Sequence, residues 1–96
     1  IKENPMVWVV VQTEGGTETF VGQHEQDLDI AYIPIFREKE DAQQGQLRMS
    51  KAKGRKYEVQ AIRCQELARD AARNGFLLFL LDEDGRILEK IDPNAV

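Results

Sequence analysis

His24, Glu25, Asp27 and Asp29 bring an imidazole and three carboxylates into one short stretch, and such side chains can ligate a divalent metal. Residues this close in an irregular loop seldom converge on one point without a ligand from elsewhere, so a solvated acidic loop is the ordinary reading. Asp82, Asp84 and Gly85 share residue types with a calcium loop. With Gly85 at the obligatory glycine, the first ligand position falls on Leu80 and the twelfth on Ile91, which have no side-chain oxygen. A hairpin turn explains them. Cys64 opens a helical stretch, where a helix N-terminus can lower a thiol pKa and produce a nucleophile. Catalysis would also need a base, and the one histidine lies far away in sequence. Ser50 has no base within predictable reach, and Gly15-Gly16 lacks the strand-to-helix context of a phosphate loop. These residues define no catalytic centre, no metal site and no cofactor, and an enzyme is not expected.

Arg48, Lys51, Lys53, Arg55 and Lys56 place five positive charges within nine residues, with Tyr57 beside them for base stacking. This cluster is the alternative functional reading: an anion- or RNA-binding site on the loop 48–56. Against it stands the whole-chain balance of 13 basic and 17 acidic residues, a net charge of -4, where nucleic-acid binders cluster positive charge to displace counterions. Cations at the end of a helix also suit its negative dipole terminus without any ligand.

The elements that must position these residues are marked by apolar patterning. Met6 to Val11, Ile30 to Phe36 and Phe76 to Leu81 are apolar on consecutive residues. A strand with one wet face alternates, so unbroken runs imply strands covered on both faces. Met6 to Gln12 and Thr17 to Gly22 form a hairpin around Glu14-Gly15-Gly16, residues that tolerate positive φ. Gln23 to Asp29 reads as a polar connection and Ile30 to Ile35 as the third strand, with pairing expected to stop near Pro34.

From Glu38 the pattern turns helical, with acidic residues in its first turn and a thin stripe of Ala42, Gly45 and Met49, Leu47 lying near one edge. Gly45 costs about 1 kcal/mol relative to Ala inside a helix, so either the helix is weak there or another backbone approaches closely. Tyr57 to Ile62 alternates as a fourth strand. Gln65 to Asn74 is the clearest helix, with a stripe of Leu67, Ala68, Ala71 and Ala72 and a left-handed cap at Asn74-Gly75. Phe76 to Leu81 and Arg86 to Ile91 complete an α/β (α+β) domain in the order β-β-β-α-β-α-β-β, a mixed sheet of five to six strands with two helices.

Ninety-six residues make one domain, 1–96, whose chain buries about two-thirds of its unfolded surface. Composition is that of an ordinary soluble domain, 42% apolar and 31% charged. A single cysteine forms no intrachain disulfide, which points to a reducing, cytoplasmic setting. The longest apolar run is seven residues, short of the roughly 20 that cross a bilayer, and Ile1 to Pro5 carry no basic-then-apolar targeting pattern.

From Ile33 onward the chain resembles the N-terminal domain of the SseB-like (enhanced serine sensitivity) proteins and similar small bacterial domains of unknown function. The resemblance rests on Pro34-Ile35-Phe36, Glu40-Asp41-Ala42, Tyr57-Glu58-Val59, Glu66-Leu67 and Gly75-Phe76. Gly45, in place of a bulky apolar residue, and Asp82-Glu83, in place of Asn-Pro, depart from it. It implies the fold and carries no catalytic residues.

Two helices cannot cover both faces of such a sheet, so another polypeptide is expected to shield the remainder. The expectation is a small non-catalytic protein-interaction module, bacterial and cytoplasmic, self-associating as a homodimer. Its interface would be a row from each of the first and fifth strands: Met6, Trp8 and Val10, or the alternate Val7, Val9 and Val11, facing Phe76, Leu78 and Leu80, or Leu77, Phe79 and Leu81.

Overall fold

The computed structural model describes residues 4–96, so the opening of the Ile1 to Pro5 segment lies outside the described residues. The chain forms an α+β fold in which seven strands make one open mixed sheet and two helices pack on it. The strands are β1 (Met6–Glu14), β2 (Thr17–Phe20), β3 (Gln23–Glu25), β4 (Ile30–Phe36), β5 (Lys56–Arg63), β6 (Leu77–Leu81) and β7 (Ile87–Ile91). Helix α1 (Lys39–Gly45) lies between β4 and β5, and α2 (Cys64–Asn74) between β5 and β6.

β1 pairs antiparallel with β5 along Met6 to Thr13. Its other flank is divided. Trp8 and Val9 pair with β4, whereas Val11 to Glu14 pair with β2 across the hairpin. β4 is divided in the same way, pairing with β3 at Ile30 to Tyr32 and with β1 at Ile35 and Phe36. β1 and β4 therefore diverge, and the β2–β3 segment fills the fork between them. Val21 keeps that segment tied in, its N–H donating to the Val10 carbonyl at 2.9 Å.

β3 corrects the reading of Gln23 to Asp29 as a polar connection: its first three residues are a strand, and only Gln26 to Asp29 turn. Polar side chains suit it because all three residues are exposed or half-buried in the fork. Pairing also runs past Pro34, since β4 and β6 are parallel neighbours from Tyr32–Leu77 to Ile35–Leu80. On the fork side neither β1 nor β3 pairs with Ile33 or Pro34, and an interrupted flank is where a sheet tolerates a residue without an N–H.

The helices sit on opposite faces. α2 buries Cys64, Leu67, Ala68 and Ala71 against Val7, Val9 and Val11 of β1, Ile33 and Ile35 of β4, and Leu78 and Leu80 of β6. Small residues in its stripe let it sit close to the sheet. Gly75 ends it at φ 78°, the left-handed cap its sequence indicated, and the Phe76 N–H returns to the Ala71 carbonyl at 2.8 Å. At its other end the Cys64 N–H donates to the Pro5 carbonyl and the Gln65 N–H to the Asn4 side chain, both at 2.9 Å. Beyond β7 a 3-10 turn, Pro93–Ala95, packs beside α2 and buries Pro93.

On the other face α1 buries Ala42 and Gly45 over β1, β4 and β5. Gly45 is required by an aromatic ring rather than by backbone: a Cβ there would stand 2.4 Å from Cε1 of Phe36. The chain leaving α1 forms a 3-10 turn, Gln46–Arg48, that exposes Leu47, and then runs back to β5. Ser50 and Gln23 anchor it by reciprocal hydrogen bonds of 3.2 and 3.4 Å, and the Tyr57 hydroxyl accepts from the Ala52 N–H at 2.7 Å. Lysine stems add to the cover, with the Lys39 ammonium 5.8 Å from the Trp8 ring and that of Lys90 5.6 Å from Phe79. Tyr32 stacks on Phe79 with centroids 4.4 Å apart, and burial, helped by the Glu25 carboxylate, raises its phenol pKa.

The six interface residues expected from the sequence do not share a face. Leu78 and Leu80 are fully buried under α2, whereas Trp8 packs with Phe36, Phe79 and Leu81 on the α1 side. Val10 is buried, Phe76 and Trp8 are half-buried, and Met6 alone of the six is exposed. The alternate row Val7, Val9 and Val11 is also buried. The sheet alternation explains the split: β1 and β6 lie on either side of β4, and the row of β1 that shares a face with Leu78 and Leu80 is the odd-numbered one.

Candidate functional site

With a helix on each face, an opening lies beside α2 among the described residues, lined by β1, β2 and β5 of the sheet. It is a groove of about 690 Å³, within the usual range of roughly 300 to 1,000 Å³ for binding clefts. Its floor is apolar. Cross-strand register puts Val11 beside Phe20 and Val7 beside Ile62 on the same face, and Val9 lies between them along β1. Phe76, the first residue beyond the α2 cap, closes one end. Its ring lies so close to Gly22 that a Cβ there would meet it at 2.6 Å.

The walls are acidic. Glu66, Asp70 and Asn74 succeed one another at four-residue intervals on α2 and line the groove from that side. This spacing puts them on one flank of the helix, about one turn apart. Opposite them stand Glu18 of β2 and Gln60 of β5, and Glu58 shares the same face through its pairing with Val11. The Gln60 amide donates to the Glu58 carboxylate. Among the described residues the carboxylates of Glu18, Glu66 and Asp70 form no ion pair and accept no hydrogen bond. No lysine or arginine lines the groove among the described residues, and Arg69 and Arg73 occupy the exposed outer surface of α2.

The residues singled out by chemistry lie elsewhere. His24 Nε2 sits 2.8 Å from an Asp29 carboxylate oxygen, and Glu25 accepts the Leu28 N–H, so the acidic loop is occupied with itself. Among the described residues no three His, Cys, Asp or Glu side chains gather to hold a metal ion. Asp82 folds its carboxylate back onto the N–H groups of Asp84 and Arg86, each at 2.9 Å, as a hairpin turn does. Cys64 is fully buried, and burial, with a smaller push from the Glu89 carboxylate, raises its thiol pKa and keeps it protonated.

The basic cluster does not converge. Arg48 pairs with Asp84 at 3.6 Å beside the β6–β7 turn, whereas Arg55 reaches Glu14 at 3.0 Å and Gln12 at 2.9 Å beside the β1–β2 hairpin. Lys51 bonds the Gln46 side chain and lies over the Tyr57 ring, and Lys53 and Lys56 are exposed. Two of its five charges are thus engaged with carboxylates at different turns.

Of the groove lining, the sequence pointed to Phe76 and, in the alternate row, Val9 and Val11, as parts of a flat sheet interface; the α2 and β5 residues that make it a groove were not singled out as a site. A signal existed in α2, whose stripe of Leu67, Ala68, Ala71 and Ala72 is narrow, but Glu66 and Asp70 read as a solvated face until the helix is placed on the sheet. No helix among the described residues is long and apolar enough to cross a membrane. Comparison with protein-family models, curated proteins and solved structures finds no match to this chain.

Proposed function

We propose that this domain is a non-catalytic protein-interaction module that receives a partner segment in the groove between α2 and β5. The observation that supports it most is the half-buried apolar trio of Phe20, Ile62 and Phe76, which lines an open groove at the margin of α2 beside the buried Val9 and Val11. Clefts that combine an apolar lining with a few polar groups at their margins are the usual form of a binding site. A domain of this size has a thin stability margin, roughly 5 to 10 kcal/mol, and an open apolar groove in it is costly unless a partner uses it.

The test is to map the groove with benzyl alcohol, a small apolar probe, by amide-resolved NMR. The reading predicts shifts confined to Val9–Val11, Phe20, Gln60–Ile62 and Asn74–Phe76. Shifts spread evenly over the surface, or centred on the Trp8 and Phe79 face, would refute it.

A further inference from the structure

We infer that the segment received by the groove is a cationic amphipathic helix of a partner protein, docking alongside α2; this rests on the proposed docking function of that groove. Three features of the groove specify the occupant. First, the open area lies over β2 and β5 at the margin of α2, which already covers Val9 and Val11 of β1, and this is the position at which a layered fold would seat another helix next to α2. A helix there would bury an apolar stripe on Phe20, Ile62 and Phe76 while lying in contact with α2. Second, Glu66 and Asp70 stand one turn apart on the adjoining wall, so their negative charges match Lys or Arg at i and i+4 of a neighbouring helix.

Third, Glu18 supplies negative charge on the opposite wall, so both flanks of a docked helix meet carboxylates, and none of these three is already neutralised within the described chain. An anionic segment would meet repulsion from each side, whereas an uncharged one would leave the carboxylates desolvated and unpaired. Helix-in-groove recognition, with apolar anchors at i, i+3, i+4 and i+7, is the mode that satisfies floor and walls together.

The experiment uses two designed probes, a helical Leu/Lys peptide of about four turns with Leu in that anchor pattern, and its Leu/Glu counterpart. The Leu/Lys peptide is expected to shift the amides of Phe20, Gln60–Ile62 and Glu66–Phe76, with an affinity that falls as salt rises. The Leu/Glu peptide is expected not to bind. The triple variant Glu18→Gln, Glu66→Gln, Asp70→Asn keeps side-chain size at three exposed or half-buried sites, and is expected to bind Leu/Lys about tenfold more weakly, each exposed charge contributing roughly 2- to 5-fold.

Equal binding of the two peptides, undiminished binding by a folded triple variant, or protection of the β5 amides by a peptide added as a further strand would each overturn the inference. So would a second copy of this chain filling the groove, seen as a dimer that excludes the peptide. If benzyl alcohol maps to the groove and Leu/Lys does not bind there, the cationic helix is wrong and the docking groove stands. If neither enters it, both fall.

Discussion

Cys64 shows how placement decides what a side chain can do. A thiol at the first turn of α2 would gain acidity from the helix dipole if it met water, yet it points into the core with no exposed surface. Its pKa is raised because the thiolate would lose its hydration there. In the unfolded chain it ionises near its ordinary value of about 8.5. Its contribution to stability is therefore complete below that pH and is lost as pH rises toward the higher folded value. Iodoacetamide at alkaline pH is expected to leave the native thiol largely unmodified and to alkylate it rapidly in urea; native labelling at the rate of a free thiol would contradict its burial. On the surface, His24, Arg48 and Arg55 each stand beside a carboxylate, that of Asp29, Asp84 and Glu14 respectively.

Elements were legible where their pattern is intrinsic and obscure where it depends on neighbours. The consecutive apolar residues of β1, β4 and β6 mark strands covered on both faces, and α2 announces itself by its stripe and by Gly75. β3 carries no such mark, because Gln23-His24-Glu25 becomes a strand only through the fork that β1 and β4 open for it. The bulge between β6 and β7 is equally silent: pairing passes from Leu80–Glu89 to Leu81–Ile87, which leaves Ile87 and Leu88 exposed. Gly45 in α1 pointed to a weak helix or a close backbone, and the close neighbour is instead the Phe36 ring. Helix propensity alone favours Gly45→Ala by about 1 kcal/mol. The added methyl would collide with the fully buried Phe36 ring, so a net loss of about 1 to 3 kcal/mol is expected in urea unfolding. A variant as stable as the parent, or more so, would show that α1 is not held against Phe36.

At the scale of the whole molecule, the two helices divide between the faces of the sheet, so the rows of β1 and β6 expected to form an interface are largely covered. The α1 face is completed by the strap through Ser50 and Ala52 and by the stems of Lys39 and Lys90. The open apolar surface is concentrated on the α2 face, over β2 and β5, where the sequence offered only half-apolar alternation and a polar helix flank. Which residues share a face follows from strand order, and strand order is not written in local periodicity. The most direct measurement is therefore the relaxation of side-chain protons by a neutral gadolinium chelate in solution. Ile62, Phe20 and Phe76 are expected to relax much faster than Ile35, Phe36 and Leu78, and faster than Phe79 and Leu81 beneath the α1-side cover. Faster relaxation of the Trp8, Phe79 and Leu81 face than of Ile62, Phe20 and Phe76 would contradict the account.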